Sequence, residues 1–298
     1  MMGMKAISLE YPTDWTDYQL LDSGLGQKLE RFGPMRVSRT DPRAIWNPGL
    51  PKPEWDQADG KFVSEGEDGG HWKFRTPAPN PWLVRYHRLV FSLRPTEFKH
   101  LGLFPEQAVN WNWLQAVIAH RPLKILNLFA YTGGATIASA LAGARTTHVD
   151  SARGAIAWAK INAKASELPA KAIRWIEDDA YKFVCREGRR GGQYDGIMMD
   201  PPRFGRGAKG EVWKLADDLP KLLAACKLIL SPQPKFFLIN AYTADLSSIV
   251  IGRLLEDLMQ PYHGKASFGE LALQDSAGGH LLPSGLFARW QKDAGISV

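Results

Sequence analysis

The chain has 298 residues, 45% hydrophobic and 23% charged, ordinary globular values that allow a sizeable core in one large domain plus a smaller one. Its 2 cysteines, Cys185 and Cys226, exclude a disulfide framework and a four-cysteine zinc site and fit a reducing compartment; no metal is expected. A net charge of +6 leans mildly toward a polyanionic partner. No apolar run has signal-peptide or membrane-span length (~20 residues), so the expectation is a soluble, cytoplasmic protein with no membrane partner.

Residues 1 to about 75 carry Trp15, Trp46, Trp55 and Trp72 among many prolines and glycines, without a long helical period. YQLLDSG, MRVSRT and AIWNP read as short strands, with Gln27–Arg31 (QKLER) open to a short turn of helix. WLVRYHRLVFSLRP (Trp82–Pro95) is rich in β-formers and reads as one or two strands. Arg75, Arg85, Arg88, Arg94 and Lys99, with His87 and His100, form one basic region; Arg203, Arg206, Lys209 and Lys214 form a second. A solvated face is the ordinary explanation of either. A helix begins near Pro105, whose missing N–H suits a first turn, and stops near Arg121-Pro122. This divides the chain into a small β-rich domain, 1–100, a candidate for substrate binding, and a larger domain, 101–298.

From Lys124 onward strands and helices alternate. ILNLFA leads into a helix beginning at Ala135, RTTHVD into ARGAIAWAKINAKASEL, AIRWIED into AYKFVCREG, YDGIMMD into EVWKLADDLPKLLAACKLIL, and KFFLIN into ADLSSIVIGRLLEDLM. Repeated strand–helix units demand a parallel sheet with helices on both faces. GKASFGELALQDS and GLFARWQ then follow as two strands without a helix between them. The fold expected is α/β: a doubly wound, mostly parallel seven-stranded sheet closed by a terminal antiparallel hairpin, beside the small β-rich domain.

Ligands of such sheets lie at the carboxyl ends of the strands, and these ends are chemically marked. The first carries FAYTGG, a glycine turn that brings backbone N–H groups close to a ligand. The second ends in Asp150, an acid placed to accept hydrogen bonds from ribose hydroxyls, or else a helix N-cap. Glu177-Asp178-Asp179-Ala180 follow the third, and Asp200-Pro201-Pro202-Arg203-Phe204 the fourth. The two prolines fix φ and remove two donors, making a rigid loop. From it Phe204 can stack on a flat ring, and the Asp200 carboxylate or the Pro201 carbonyl can accept from an amino group. The fifth ends in Asn240-Ala241-Tyr242.

GLFPEQ, LNLFAYTGG, HVDSARGAIAWAKINA, EDDAYKF and YDGIMMDPPRFGRG, in this order and spacing, resemble the class I S-adenosylmethionine-dependent methyltransferases, over about residues 95–245. More narrowly they resemble the bacterial large-subunit ribosomal RNA methyltransferase family. The resemblance implies S-adenosylmethionine as cofactor and RNA as partner. It implies that Phe129, Tyr131, Thr132, Gly133 and Gly134 line the methionine and sugar end, and that Asp150, with Ser151 beside it, holds the ribose. Asp179 with Ala180 would sit by the adenine amino group, Asp178 being an adjacent candidate. Phe104 and Gln107 would close over the cofactor from the linker side. Asp200, Pro201 and Phe204 would act where methyl donor and acceptor meet, Asp200 touching both.

Two departures stand out. Many members carry an acid on the first strand, where this chain has Asn127; it keeps hydrogen bonding to the methionine end but no charge. The cytosine-C5 members carry a nucleophilic cysteine on the fifth strand, where this chain reads INAYTADLSS. Attack at C5 needs a thiolate, whereas transfer to nitrogen needs chiefly alignment, so a nitrogen acceptor is favoured. The competing readings are methylation of a protein or small molecule, and a non-catalytic RNA-binding protein keeping the fold. A dinucleotide-binding oxidoreductase is disfavoured, since the first turn lacks G-x-G-x-x-G. Oligomeric state is not legible.

Overall fold

The computed structural model describes residues 6–66, 69–206, 210, 212–243 and 245–293; Lys209 and the side chain of Arg206, both in the second basic group, lie outside the described residues. The chain forms two compact units. One takes the chain up to Glu10, Val109–Leu271 and from Gly285 onward; the other is Tyr11–Ala108 with Ala272–Ser284.

After a short β1 (Ser8–Glu10), the second unit opens with β2 (Tyr18–Gly24), β3 (Gln27–Phe32) and β4 (Met35–Thr40), an antiparallel meander. The QKLER segment is therefore strand, not helix. Leu25 and Gly26 both have positive φ, 51° and 73°, the conformation of a tight hairpin turn that folds β3 back on β2. AIWNP is not a strand either. Ala44 N donates to Asp41 O at 3.1 Å, and Leu25 N and Gly26 N donate to Trp46 O and Ala44 O at 2.8 and 2.7 Å, which curls the segment over the turn. Buried Asp22 gathers the Pro-rich stretch by accepting from Gly49 N, Leu50 N and Trp55 Nε1 at 3.0, 2.8 and 3.0 Å. A short α1 (Lys52–Asp56) follows. Then β5 (Gly60–Ser64) pairs parallel with β4, and β6 (Gly70–Phe74) pairs antiparallel with β5. β7 (Trp82–Tyr86) and β8 (Leu89–Leu93) make a separate hairpin whose alternation buries Trp82, Val84 and Tyr86.

The tryptophans act as pins of this unit. Trp15, Trp46 and Trp72 donate Nε1 to the carbonyls of Pro105, Ser23 and Thr96 at 3.0, 2.9 and 3.0 Å. The first basic group is also partly structural. Lys99 donates to Thr40 O at 3.1 Å, Arg75 pairs with Asp59 at 3.1 Å, and burial beside Arg39 and Lys99 pushes His100 down to about 3, leaving it neutral.

A 3-10 turn, Pro105–Gln107, leads into α2 (Ala108–Ile118), so Pro105 starts a helical turn as its position suggests. Then come β9 (Lys124–Leu128), α3 (Gly134–Leu141), β10 (Arg145–Asp150), α4 (Arg153–Ala165), β11 (Ile173–Glu177), α5 (Ala180–Arg189) and β12 (Gly196–Met199). The DPPRF loop continues into a small hairpin, β13 (Phe204–Arg206) with β14 (Val212–Lys214), so Val212–Lys214 belongs to a strand rather than to the helix after it. The unit ends with α6 (Leu215–Lys227), β15 (Phe236–Ala241), α7 (Ser248–Met259), β16 (Gly264–Gln274) and β17 (Leu281–Lys292).

Its sheet has the order β1-β16-β17-β15-β12-β9-β10-β11. The strands from β15 to β11 are parallel, β17 is antiparallel to β15, and the expected seven are joined by β1, parallel to β16 at the edge. β12 and β15 are buried along their whole length and β9 beyond Lys124, the continuous apolar runs of central strands covered on both faces. Ile197, Met199, Phe237 and Ile239 face α5, α6 and α7, while Met198, Phe236 and Leu238 face Leu114 and Ile118 of α2. Among the described residues no helix is long and apolar enough to cross a membrane.

Candidate active site

Strand order reverses between β9 and β12: the chain leaves β9 toward β10 on one side and returns as β12 on the other. A crevice opens at such a point beyond the carboxyl ends of the strands, and the marked segments converge there. In register, Leu128 lies opposite both Val149 and Met199, and Met199 opposite Ile239. The turn after β9 therefore stands between Asp150 on β10 and Asp200 after β12, with Asn240 beside Asp200.

The turn is held in an unusual backbone. Phe129, Tyr131 and Gly133 have φ of 53°, 46° and 86°. For the two aromatic residues this left-handed conformation costs roughly 1–2 kcal/mol each, so the surroundings must hold it. They do. Ala130 N donates to Val149 O at 3.1 Å, Gly133 N to Ala130 O at 3.0 Å, and Tyr131 N to Asp150 Oδ2 at 2.8 Å. Asn162, fully buried on α4, donates to Thr132 O at 2.9 Å. Gly134 starts α3 against Trp111: a Cβ there would lie 2.8 Å from the ring.

Asp150 also accepts from Ala152 N, through Oδ1, at 2.8 Å. Burial raises its pKa, against the pull of the backbone N–H groups of Ala152, Tyr131 and Ser151. Oδ1 holds Ala152 N and Oδ2 holds Tyr131 N, and a carboxylate oxygen that holds one donor still has acceptor capacity, which suits a ligand hydroxyl. Ser151 is exposed next to it. Asp179 caps α5, accepting from Lys182 N at 2.9 Å, with buried Ala180 opening the helix. Asp178 accepts from Asp179 N at 2.9 Å and pairs with Arg186 at 2.6 Å. Asn127 is buried and donates to Thr136 Oγ1 at 2.8 Å, and Thr136 Oγ1 bonds His148 Nδ1 at 3.0 Å. Asn127 thus ties β9 to α3 and β10 beneath the turn.

On the other side of the reversal, Asp200 is half-buried, Pro201 buried and Phe204 53% exposed. Trp213, which the sequence reading placed in a helix, stiffens this loop: Nε1 donates to Pro202 O at 2.7 Å, and its ring packs 5.0 Å from Phe129. Arg203 pairs with Asp245, and Leu215 N donates to Arg203 O at 3.0 Å. Cys226 lies in the last turn of α6, hence at the sheet edge opposite Asp200, and burial pushes its thiol up; Cys185 is half-buried midway along α5. Neither thiol stands at the end of β15. Phe104 and Gln107 belong to the second unit, Phe104 capping the 3-10 turn and Gln107 buried within it.

Residues 67–244 match the model of the S-adenosylmethionine-dependent methyltransferase family. The chain belongs to this family. As a methyltransferase it is similar over nearly its whole length to the crystal structure of a SAM-dependent methyltransferase from Agrobacterium tumefaciens, with 41% identity, 95% and 93% of the two chains covered and a TM-score of 0.90. A methyltransferase crystallised with S-adenosylhomocysteine shares the fold at 19% identity, with 93% and 76% covered and a TM-score of 0.71. Among curated relatives, the ribosomal RNA large subunit methyltransferase K/L of Shewanella baltica is 34% identical over 146 residues, 48% of this chain and 20% of that protein. That of Shewanella oneidensis is 31% identical over 154 residues, 50% and 21%. The methyltransferase therefore spans about a fifth of the length of these relatives. The expected family, fold and cofactor dependence are met. The spare acceptor capacity of Asp150 and the held left-handed turn beside it fit the cofactor's hydroxyls and its close approach to backbone.

Sequence reading missed Trp213, because its strand is only three residues long. It also missed Asn162, although a polar residue in phase with Ala155, Ile156, Ala159 and Ala163 on the buried face of α4 was a visible signal.

Proposed function

We propose that this methyltransferase modifies a ring or exocyclic nitrogen of a base in RNA, ribosomal RNA being the substrate class. The observation that carries this is Phe204, an exposed aromatic ring on a loop made rigid by Pro201, Pro202 and the Trp213 bond, beside Asp200 at the strand reversal. A ring more than half exposed there suits stacking on a base, worth about 1–3 kcal/mol. The names of the Shewanella relatives support the RNA class, and Asn240 in place of a thiol supports nitrogen over cytosine C5.

In this reading Asp150 and Ser151 hold the ribose, Phe129 to Gly134 approach the methionine and sugar end with Asn127 beneath, and Asp179 with Ala180 lies by the adenine. Phe104 and Gln107 keep the cofactor role that the family resemblance implies for them. The cofactor supplies an activated methyl group on a cationic sulfur. The protein's part is alignment: Phe204 holds the acceptor ring flat, while Asp200 or the Pro201 carbonyl accepts from its amino group, leaving a nitrogen lone pair in line with the methyl. Residues 1–100 serve as substrate-binding domain and 101–298 as catalytic domain, in the cytoplasm. Tritium transfer from labelled S-adenosylmethionine into undermodified total RNA, compared with protein and metabolite fractions, tests it. Label confined to a non-RNA fraction overturns the substrate class. Cofactor binding without transfer to any fraction favours a binding protein that has kept the fold.

A further inference from the structure

Lys99 is held where its own fold does not satisfy it. Its φ of 61° lies in the left-handed region that a residue with a Cβ rarely adopts. The segment around it is fastened at both ends. Thr96 N and Oγ1 donate to His100 O at 3.2 and 2.8 Å, and Arg39 Nη1 donates to Lys99 O at 3.2 Å. The half-buried ammonium donates to Thr40 O at 3.1 Å and, among the described residues, forms no ion pair. An ammonium has three donors, so charge and hydrogen-bonding capacity are both left over.

Its neighbours are cations already matched to acids. Lys28 Nζ lies 3.8 Å from Glu30 and 3.4 Å from Asp41, Arg39 bonds Glu30 at 2.6 Å, and Arg43 bonds Asp41 at 2.9 Å. Glu106 also acts on Arg39. These three acids meet Lys28, Arg39 and Arg43, and Lys99 is the cation in excess. Burial lowers its pKa, and the charges of Lys28, Arg39 and Arg43 lower it further against the pull of Asp41. A bound anion relieves such a group.

The surface beside this cluster is apolar where a merely solvated basic face would be polar. Thr40, whose carbonyl holds Lys99, leads directly into the curl that folds over the Leu25-Gly26 turn. That curl leaves Ile45 83% and Leu25 69% exposed. The exposed Trp46 ring is fixed by its Nε1 bond to Ser23 O at 2.9 Å. Next to Lys99, Phe98 is 61% exposed. An excess cation near exposed aromatic rings is the combination that holds a single strand, charge for the backbone and flat faces for the bases.

We propose that this end of the β2–β3–β4 meander is a contact site for single-stranded RNA, in which Lys99 takes a backbone phosphate and Trp46 and Phe98 take adjoining bases. The site rests on the reading of RNA as substrate and deepens it, by naming where residues 1–100 grip the strand.

The test is fluorescence anisotropy of the full chain with a labelled, mixed-sequence single-stranded RNA of about 12 nucleotides, at about 50 and 200 mM salt. Lys99→Asn removes the charge but keeps a residue that tolerates the left-handed backbone. It should weaken binding roughly tenfold at the lower salt and flatten the slope of log affinity against log salt by about 0.7, one phosphate contact on a single strand. Lys99→Arg should bind like the wild type. At the exposed Ile45, where a substitution leaves the fold intact, Ile45→Glu should weaken binding and Ile45→Lys strengthen it. Thermal unfolding and S-adenosylhomocysteine affinity should stay at wild-type values in all four. Unchanged affinity and salt slope in Lys99→Asn overturn the site, as do equal affinities in the two Ile45 variants. Displacement of the RNA by oligoglutamate as readily as by unlabelled RNA shows a plain anion site and overturns the assignment to RNA. A wild type that does not bind this RNA overturns the site as well, and tritium transfer to RNA by the same protein then decides whether the substrate reading falls with it.

Discussion

Tyr131 donates its backbone N–H to Asp150 Oδ2 at 2.8 Å while sitting at a φ of 46°, so the carboxylate proposed to hold the cofactor's ribose also holds the left-handed turn beside it. If Asp150 holds the ribose as proposed, replacing it by Ala removes that acceptor and strands the backbone N–H groups of Tyr131 and Ala152. Charged hydrogen bonds of this kind are worth about 1.5–3 kcal/mol, so S-adenosylmethionine affinity should fall roughly 10- to 100-fold by calorimetry. Burial raises the Asp150 pKa. Because the ionised form accepts best, affinity should decline on acidification at a higher pH than for an ordinary carboxylate near ~3.9. Folding carries the opposite sign: the penalty for burying this charge is present above the raised pKa and relieved below it. A pH–affinity profile that is flat from pH 7 to pH 4 would contradict the assignment.

Gly133 stands at φ 86°, and a Cβ there would come 3.1 Å from Ala159 Cβ on α4. Gly133→Ala should therefore destabilise the protein by about 1–2 kcal/mol from backbone strain, more if α4 cannot give. Gly134→Ala acts differently: its backbone is ordinary, but the new methyl meets Trp111 at 2.8 Å, so α3 or the indole must move. Thermal unfolding with and without S-adenosylmethionine separates strain from lost binding. Full wild-type stability and affinity in Gly133→Ala would show that the turn does not need its left-handed residue.

His148 is buried beneath the site, bonded through Nδ1 to Thr136, and burial together with the charge of Lys160 brings it to about 3. An unfolded histidine titrates near 6.5. Below that pH the unfolded chain takes up a proton that the fold refuses, so stability is full above about pH 6.5 and is lost as pH falls toward about 3. The slope is about 1.4 kcal/mol per pH unit for this group. Urea unfolding between pH 7 and pH 4 should show it. In His148→Asn, which loses the titration, the slope should be shallower by about one proton. An unchanged slope in that variant would place the acid sensitivity elsewhere, His100 being the other imidazole brought to about 3.

What the sequence made legible was what local pattern encodes. The central strands announced themselves as continuous apolar runs because both faces are covered, and the chemistry sat at their ends because that is where the backbone of a parallel sheet is exposed to ligands. What stayed hidden was set by partners far along the chain. QKLERF became β3 through the turn at Leu25-Gly26, although its composition allowed a helix. Trp213 joined the site because Phe204–Arg206 pairs with Val212–Lys214. Lys99 reaches Thr40 O across 59 residues, a separation no local signal bridges.

If the Asp200–Phe204 loop holds the acceptor as proposed, Phe204 and Trp213 separate acceptor binding from loop rigidity. Phe204 is 53% exposed, and a surface truncation of this kind usually changes stability by no more than about 0.5 kcal/mol. Phe204→Ala should leave thermal unfolding and cofactor affinity unchanged while KM for RNA rises, by roughly 10-fold if one stacked base is lost. Trp213→Phe keeps an aromatic ring against Phe129 but loses the bond to Pro202 O. It should act mainly on kcat, because the loop keeps its stacking ring but no longer holds the Asp200–Phe204 segment at a fixed height over the donor. Measuring both variants on RNA at saturating cofactor makes the distinction. If Phe204→Ala lowers kcat with KM unchanged, the ring serves alignment rather than capture. If neither variant changes either constant, the acceptor is not held by this loop.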